Sequence, residues 1–298
     1  MTIASPALTI SVGTAAGWPA IEPCVRSFLA DARATGSQVL IADGSGRPPP
    51  TDPDILETVT WRSLDDKSVF RLVQSNLAIA SGSIVALMED HCTARPGWIA
   101  AILRAHAESP QAAAVGGAIE NGTTASSLEW ASYLMTQGAH MAPLRNGPAT
   151  RIANEANISF RRTALDGQLD DSMGFMTIKA TRALADRGEL LVNDDRIVVD
   201  HYERLGTRAT AVIHFDDGRT ISGWRRPGMT RVDWLRVVGA PILPLFRTAR
   251  VIRNGVVKGR ARTVATALPW IVALEYCHEA GELAGYLAGP GRSPYGLR

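Results

Sequence analysis

Within the first 120 residues, short apolar runs alternate with segments of helical periodicity, and this alternation limits the fold more than any other feature of the chain. Ala7–Thr14 (ALTISVGT), Gln38–Ala42 (QVLIA), Ile84–Met88 (IVALM) and Ala112–Ile119 (AAAVGGAI) read as strands, with a short further one at Val59–Trp61. Between them, Ile21, Val25, Phe28, Leu29 and Ala32 mark one helical face. Ser68–Ala80 reads as a helix stopped at Gly82, and Pro96 opens a helix carrying Trp98, Ile99, Ile102 and Leu103. Strands joined by helices of this length build βαβ units, so the expected class is α/β with a mixed, mostly parallel sheet flanked by helices. The unbroken apolarity of Ile84–Met88 fits a strand covered on both faces. Ligands of such sheets bind beyond the carboxyl ends of the strands. The polar residues that follow the runs are therefore the first to examine: Thr14, Asp43 and the triplet Glu89-Asp90-His91.

The rest of the chain is less regular. It contains Asn154-Glu155-Ala156-Asn157, a helix expected near Met176–Arg187, and a strand Arg196–Val199 ending at Asp200-His201. Two later apolar stretches do not read as membrane spans. Val237–Phe246 is short and broken by Pro241 and Pro244, and Val264–Leu287 carries Pro269, Glu275, His278, Glu279 and Glu282. Gly281, Gly285 and Gly289 recur every four residues, a spacing that lets helices approach closely. The expected division is residues 1–220 as one domain and 221–298 as a basic, partly apolar helical extension.

Charge is unevenly spread. From Arg225 to Arg262 there are ten basic residues and one acid, Asp233, a net +9 that leaves −7 for the rest of a chain totalling +2. Such a block seeks phosphates, on anionic lipid, a lipid-diphosphate acceptor or nucleic acid; a solvated basic face is the plain alternative. No nucleic-acid partner is expected. The three cysteines are scattered, which fits a reducing compartment, and the N-terminus reads as a strand, not as a signal peptide. The expected location is the cytoplasm, peripheral on the inner face of the membrane.

Carboxylates beside an imidazole at a strand end can hold a divalent metal, Mn2+ or Mg2+, which in turn can neutralise a diphosphate. The competing reading of the triplet is an acidic turn whose Asp90 caps the next helix. Phosphate-loop, nucleophile-elbow and Gly-x-Gly-x-x-Gly signatures are absent.

The blocks ISVGT, IADGSG and GSIVALMEDHCTARPGW, followed by EANISFRR, resemble the inverting family-2 glycosyltransferases of the GT-A fold across about two thirds of the chain. The resemblance implies a transferase that moves a sugar from a nucleotide-sugar, a UDP-sugar by preference, to a lipid-linked or saccharide acceptor in polysaccharide biosynthesis. It implies that Thr14 and Asp43 line the base pocket and that Asp90 contacts the nucleotide. Glu89, His91 and His201 would hold the metal, and Asn157 and Arg161 would face the acceptor. Three departures accompany it. Ala42 replaces the first aspartate of the second block, and His91 replaces the last of the third. No carboxylate stands in Gly174-Phe175-Met176-Thr177, where relatives carry the catalytic base. Asp170 and Asp171, just upstream, are the nearest substitutes. A non-catalytic nucleotide-sugar-binding protein on the same fold is the alternative. A nucleotidyltransferase is disfavoured by the lack of an N-terminal Gly-rich basic loop.

Overall fold

A computed structural model describes residues 6–169 and 172–297, which form two compact units. Through residue 120 the elements are β1 (Leu8–Thr14), α1 (Glu22–Thr35), β2 (Gln38–Asp43), α2 (Pro53–Thr58), β3 (Val59–Ser63), α3 (Val69–Leu77), β4 (Ile84–Leu87), β5 (Cys92–Ala94), α4 (Trp98–Glu108) and β6 (Ala112–Asn121). After α5 (Ser127–Thr136) follow β7 (Gly147–Pro148), β8 (Ile158–Arg161), α6 (Thr177–Asp186) and β9 (Leu190–His201). The C-terminal helices are α7 (Thr207–Arg225), α8 (Arg231–Gly239), α9 (Leu243–Val257) and α10 (Ala261–Ala288).

The first unit comprises residues up to Glu120 together with Ala142–His201. Its sheet runs β3-β2-β1-β4-β8-β6-β9-β5, with β7 on β9. The fold is the expected mixed α/β arrangement. β3, β2, β1 and β4 are parallel, whereas β8 runs antiparallel to both β4 and β6, and β9 antiparallel to β5. β1 lies between two parallel partners and every residue of it is buried, which fits its apolar and β-branched residues. Its polar exceptions are paired. Asn76 of α3, fully buried, donates to Ser11 Oγ, Val12 O and Leu40 O at 3.1–3.2 Å and so ties the helix to β1 and β2. Leu40, Val73, Leu77, Val85, Phe160 and Phe175 fill the core on that side. The register aligns Thr14 with Asp43 and Ser11 with Leu87, so the carboxyl ends of β1, β2 and β4 meet at one edge. Some boundaries differ from the sequence expectation: α4 begins at Trp98 with Gly97 at the cap, so Pro96 precedes the cap instead of opening the helix, and the strand expected at Arg196–Val199 extends over Leu190–His201.

The second unit joins Asn121–Met141 to Tyr202–Leu297 and is helical. The sequence reading puts a boundary at 220; the compact unit begins at Tyr202 and recruits α5 from the middle of the chain. Gly281 and Gly285 set α10 directly on α7. A Cβ at Gly281 would collide with the backbone of Phe215, and one at Gly285 with Ser222 and the Arg219 carbonyl. No described helix is long and apolar enough to cross a membrane.

The acids of α10 explain this. Glu275, Glu279 and Glu282 are buried, and Arg247 of α9 lies 3.0 Å from Glu279 and 2.5 Å from Glu282. Burial raises the Glu282 carboxyl, but the hydrogen bond from His278 and the Arg247 charge win and hold it at about 2. Glu279 is left with the smaller share of that cation, and burial pushes it up to about 7. Its native pKa exceeds the ordinary 4.5, so between those values the unfolded chain ionises first. Glu279 therefore costs stability that grows from about pH 4.5 and levels off above pH 7. Glu279→Gln should raise unfolding stability at pH 8 by roughly 1–3 kcal/mol and leave it unchanged at pH 4. Thermal melts at the two pH values check this, and a destabilised variant at pH 8 would show that the Arg247 ion pair outweighs the burial cost.

Candidate functional site

The chain leaves the sheet at Glu89, just after Met88 N makes its bond to Ser11 O at 3.2 Å. Cys92 N then donates to Glu89 O at 3.0 Å, closing a tight turn that holds the triplet beyond the carboxyl edge. β5 starts at Cys92 and pairs with the last residues of β9, placing Cys92 opposite His201. This register brings His201 to the triplet across 110 positions of sequence. The triplet is not a helix cap, since α4 starts at Gly97 without a side-chain cap.

Three donor atoms converge there. His91 Nε2 lies 2.9 Å from His201 Nε2, and Glu89 Oε2 lies 3.4 Å from each. Asp90 Oδ1 sits 3.0 Å from His91 Nδ1. A carboxylate at that distance keeps the proton on Nδ1, by the hydrogen-bond network, and leaves the Nε2 lone pair for the convergence point. Neighbouring donors around a small octahedral cation, at bond lengths of about 2.1 Å, lie about 3 Å apart, so this donor set fits one divalent ion. Burial raises the Glu89 carboxyl, but the His201 hydrogen bond and the charges of both imidazoles hold it below the usual range. Cys92, which sequence reasoning passed over, belongs to the same group, its sulfur within 4.8 Å of Glu89 and His201 ligand atoms. Burial and then the Glu89 charge push its thiol well up, and oxygen and imidazole donors suit Mn2+ better than a thiol does.

Thr14 and Asp43 sit in register at the adjoining strand ends. Thr14 Oγ1 donates to Asp90 Oδ2 at 2.6 Å and accepts from Ala16 N and Gly17 N at 3.0 Å. Its one donor and both lone pairs are used, so it orients Asp90 and shapes the β1–α1 turn and has nothing left for a base. Asp90, engaged by Thr14 and His91, orients the imidazole in turn. Asp43 is different. Its Oδ1 accepts from Ser45 N at 2.8 Å, while Oδ2 is buried with no partner among the described residues. A buried carboxylate oxygen without a donor is costly, and a ligand N–H would relieve it.

Asn157 and Arg161, expected on the acceptor side, are structural clamps. Asn157 is 1% exposed; its Nδ2 donates to Ala118 O and Ile197 O at 2.7 and 3.0 Å, and its Oδ1 accepts from Trp98 Nε1 at 2.9 Å. Arg161 pairs with Ile84, at the opposite end of β4 from the triplet, and donates to Ala112 O and His106 O. Asp170 and Asp171 lie outside the described residues. Gly174 shows why that segment holds no carboxylate at its own position: its φ is +96°, and a Cβ there would strike the Phe70 backbone. Glu155 is the carboxylate that sequence reasoning overlooked. It is half-buried, its Oε1 lies 3.4 Å from Thr177 N at the start of α6, and burial together with the Glu89 charge raises its pKa. No local pattern marks it, because its neighbours in space come from the end of β4 and from α6.

No family model and no curated protein matches the chain. Solved structures do match. That of GalNAc-T7 with UDP, GalNAc and Mn2+ aligns with a TM-score of 0.52 and 12% identity over 68% of this chain and 45% of that one, so this chain spans less than half the length of that protein. The mannosyltransferase PcManGT from Pyrobaculum calidifontis, in complex with GDP-Man and Mn2+, aligns at TM-score 0.44 and 16% identity over 96% of this chain and 76% of that chain. The likeness to GalNAc-T7 is one of fold, a GT-A-type sheet flanked by helices.

Proposed function

We propose that the first unit transfers a sugar from a nucleotide-diphosphosugar, a UDP-sugar by preference, to a lipid-linked or saccharide acceptor with inversion, in polysaccharide biosynthesis. The observation that carries this reading is the convergence of Glu89, His91 and His201 donors at the sheet edge that also holds the buried Asp43 Oδ2, which has no partner among the described residues. In this reading Asp43 accepts a hydrogen bond from a uracil-like ring, and Asp90 holds His91 in the donor-competent tautomer. A divalent metal, Mn2+ or Mg2+, held by Glu89, His91 and His201 would supply charge neutralisation for the departing diphosphate. The GalNAc-T7 structure, with UDP and Mn2+ on a similar fold, supports the choice of ligand class. Incubation with UDP-sugars and Mn2+, with and without lipid-linked acceptors, tests it by release of UDP. The reading fails if no nucleotide binds and Glu89→Ala leaves every activity unchanged.

The absence of a carboxylate over Gly174–Thr177 and the presence of Ala42 favour a second reading, a non-catalytic nucleotide-sugar-binding protein. It predicts UDP binding by calorimetry with no turnover on any acceptor.

The second unit would hold the protein on an anionic membrane face in the cytoplasm. Trp234, Leu235, Val238, Ile242, Leu245 and Phe246 are 52–78% exposed within the segment that carries the +9 charge. Apolar side chains bordered by arginines suit the lipid interface. Sedimentation with phosphatidylglycerol vesicles should pellet the protein, and Trp234→Ala with Phe246→Ala should weaken that binding by about tenfold or more. Equal binding to neutral phosphatidylcholine vesicles would remove the electrostatic part, and no binding to either would remove the whole idea.

A further inference from the structure

We propose that the indole N–H of Trp61 and the carboxylate of Asp43 together recognise the edge of a uracil ring, with Trp18 as the wall beside them. This deepens the nucleotide-sugar reading above and rests on it.

Strand pairing and turn packing bring the three residues together. In the parallel register of β2 and β3, Trp61 lies beside Ile41 and Ser63 beside Asp43. Side chains alternate along a strand, so Ile41, Asp43, Trp61 and Ser63 share one face of the sheet near its carboxyl edge. Leu40 points the other way, into the core with Val73 and Leu77 of α3. On the first face, the turn after β1 is pressed onto the turn after β2. A Cβ on Gly17 would collide with Ser45 Oγ and lie 3.3 Å from Asp43 Oδ1. Trp18 follows directly, and its ring meets that of Trp61 edge-to-face, with centroids 6.3 Å apart and planes at 82°. Both indoles are half-buried and Ser63 is exposed, so a ligand can reach this edge.

Two polar atoms are left over there. Asp43 is 1% exposed, and its Oδ2 has no partner among the described residues. Trp61 Nε1 is buried in the same condition. A buried indole N–H ordinarily finds an acceptor, and leaving either atom unpaired is costly. The indole nitrogen can only donate and the ionised carboxylate can only accept, so the two suit a ligand with an N–H next to an acceptor. Uracil carries N3–H between two carbonyls. N3–H donates to Asp43 Oδ2, and one neighbouring carbonyl oxygen accepts from Trp61 Nε1. Cytosine in the same pose turns its N3 lone pair toward the carboxylate. Guanine presents two parallel N–H groups, which suit a carboxylate with both oxygens free, and Asp43 Oδ1 already accepts from Ser45 N at 2.8 Å.

Calorimetry of the full chain with Mn2+ and UDP, CDP or GDP tests the assignment. Wild type should bind UDP at least about 100-fold more tightly than CDP or GDP. Trp61→Phe keeps an aromatic ring and loses the N–H. It should weaken UDP binding by about tenfold and reduce the preference for UDP over CDP by about the same factor, with Mn2+ affinity and melting temperature unchanged. On the wild type, one of 2-thio-UDP and 4-thio-UDP, whose sulfur is a poorer acceptor, should bind more weakly than UDP, and that deficit should vanish in Trp61→Phe. If Trp61→Phe does not fold, the thio analogues on the wild type decide. A UDP-over-CDP ratio in Trp61→Phe within twofold of wild type overturns the inference and leaves nucleotide binding in place. So does a wild type that binds UDP and both thio analogues equally, or one that prefers CDP or GDP. A wild type that binds no nucleoside diphosphate removes the nucleotide-sugar reading and this inference with it.

Discussion

Replacing His201 with alanine should weaken Mn2+ binding by at least about 100-fold and reduce sugar transfer in step. The reason is geometric. His201 Nε2 is one of three donors that meet within 2.9–3.4 Å, and the antiparallel pairing of β9 with β5 holds it there. An alanine leaves the strand pairing intact but removes one donor atom from the convergence. Glu89→Ala should act likewise. Asp90→Asn should cost less, about 10–100-fold, because it only loosens the orientation of His91. Titration of the apo protein with Mn2+, read by electron paramagnetic resonance, separates metal binding from activity. Cys92→Ser is the informative control. If it abolishes metal binding and His201→Ala does not, the site is a thiolate site for a softer ion, and the Mn2+ assignment falls.

Asn157→Ala should destabilise the first unit by about 3–5 kcal/mol. The side chain satisfies two carbonyls, Ala118 O on β6 and Ile197 O on β9, and the indole N–H of Trp98. Alanine removes all three of these buried hydrogen bonds and leaves the Trp98 indole N–H without its Asn157 acceptor, each loss costing about 1–3 kcal/mol, offset in part by any water that enters. Asn157→Asp is the sharper variant. It is nearly the same shape, but it turns a donor toward two carbonyl oxygens into an acceptor, so it should be at least as destabilising. Chemical denaturation measures both. A loss below about 1 kcal/mol together with a large fall in turnover would return Asn157 to the acceptor side, the place the resemblance implies for it.

Much of the sheet was legible because burial on both faces leaves a local mark. Ile84–Met88 is continuously apolar and Ala7–Thr14 is rich in apolar and β-branched residues since neighbouring strands and helices cover them, and the polar residues at their ends mark the carboxyl edge of the sheet. The helix of Ile21, Val25, Phe28, Leu29 and Ala32 was equally plain: all five are buried in the structure. The clamps were not legible. Asn157 and Arg161 look like functional polar residues in a string of letters, and only their partners, 40 to 59 positions away for Asn157's carbonyl and indole contacts with β9 and α4, reveal that they are structural. The Glu155 contact with α6 was hidden as well, since nothing adjacent to it in sequence suggests a helix terminus nearby.

The sequence by itself determined the alternating strand–helix order, the triplet at the end of β4 and the charge concentrated after Arg225. These follow from side-chain periodicity and composition, which each segment carries alone. Tertiary structure decided that His201 joins the triplet, that Thr14 supports Asp90 instead of facing a ligand, that Glu155 reaches α6, and that Asn121–Met141 packs with the C-terminal helices. Each of these depends on strand register or on helix docking between distant segments. Such pairings are chosen by the summed burial of the whole unit, which no local stretch of residues encodes.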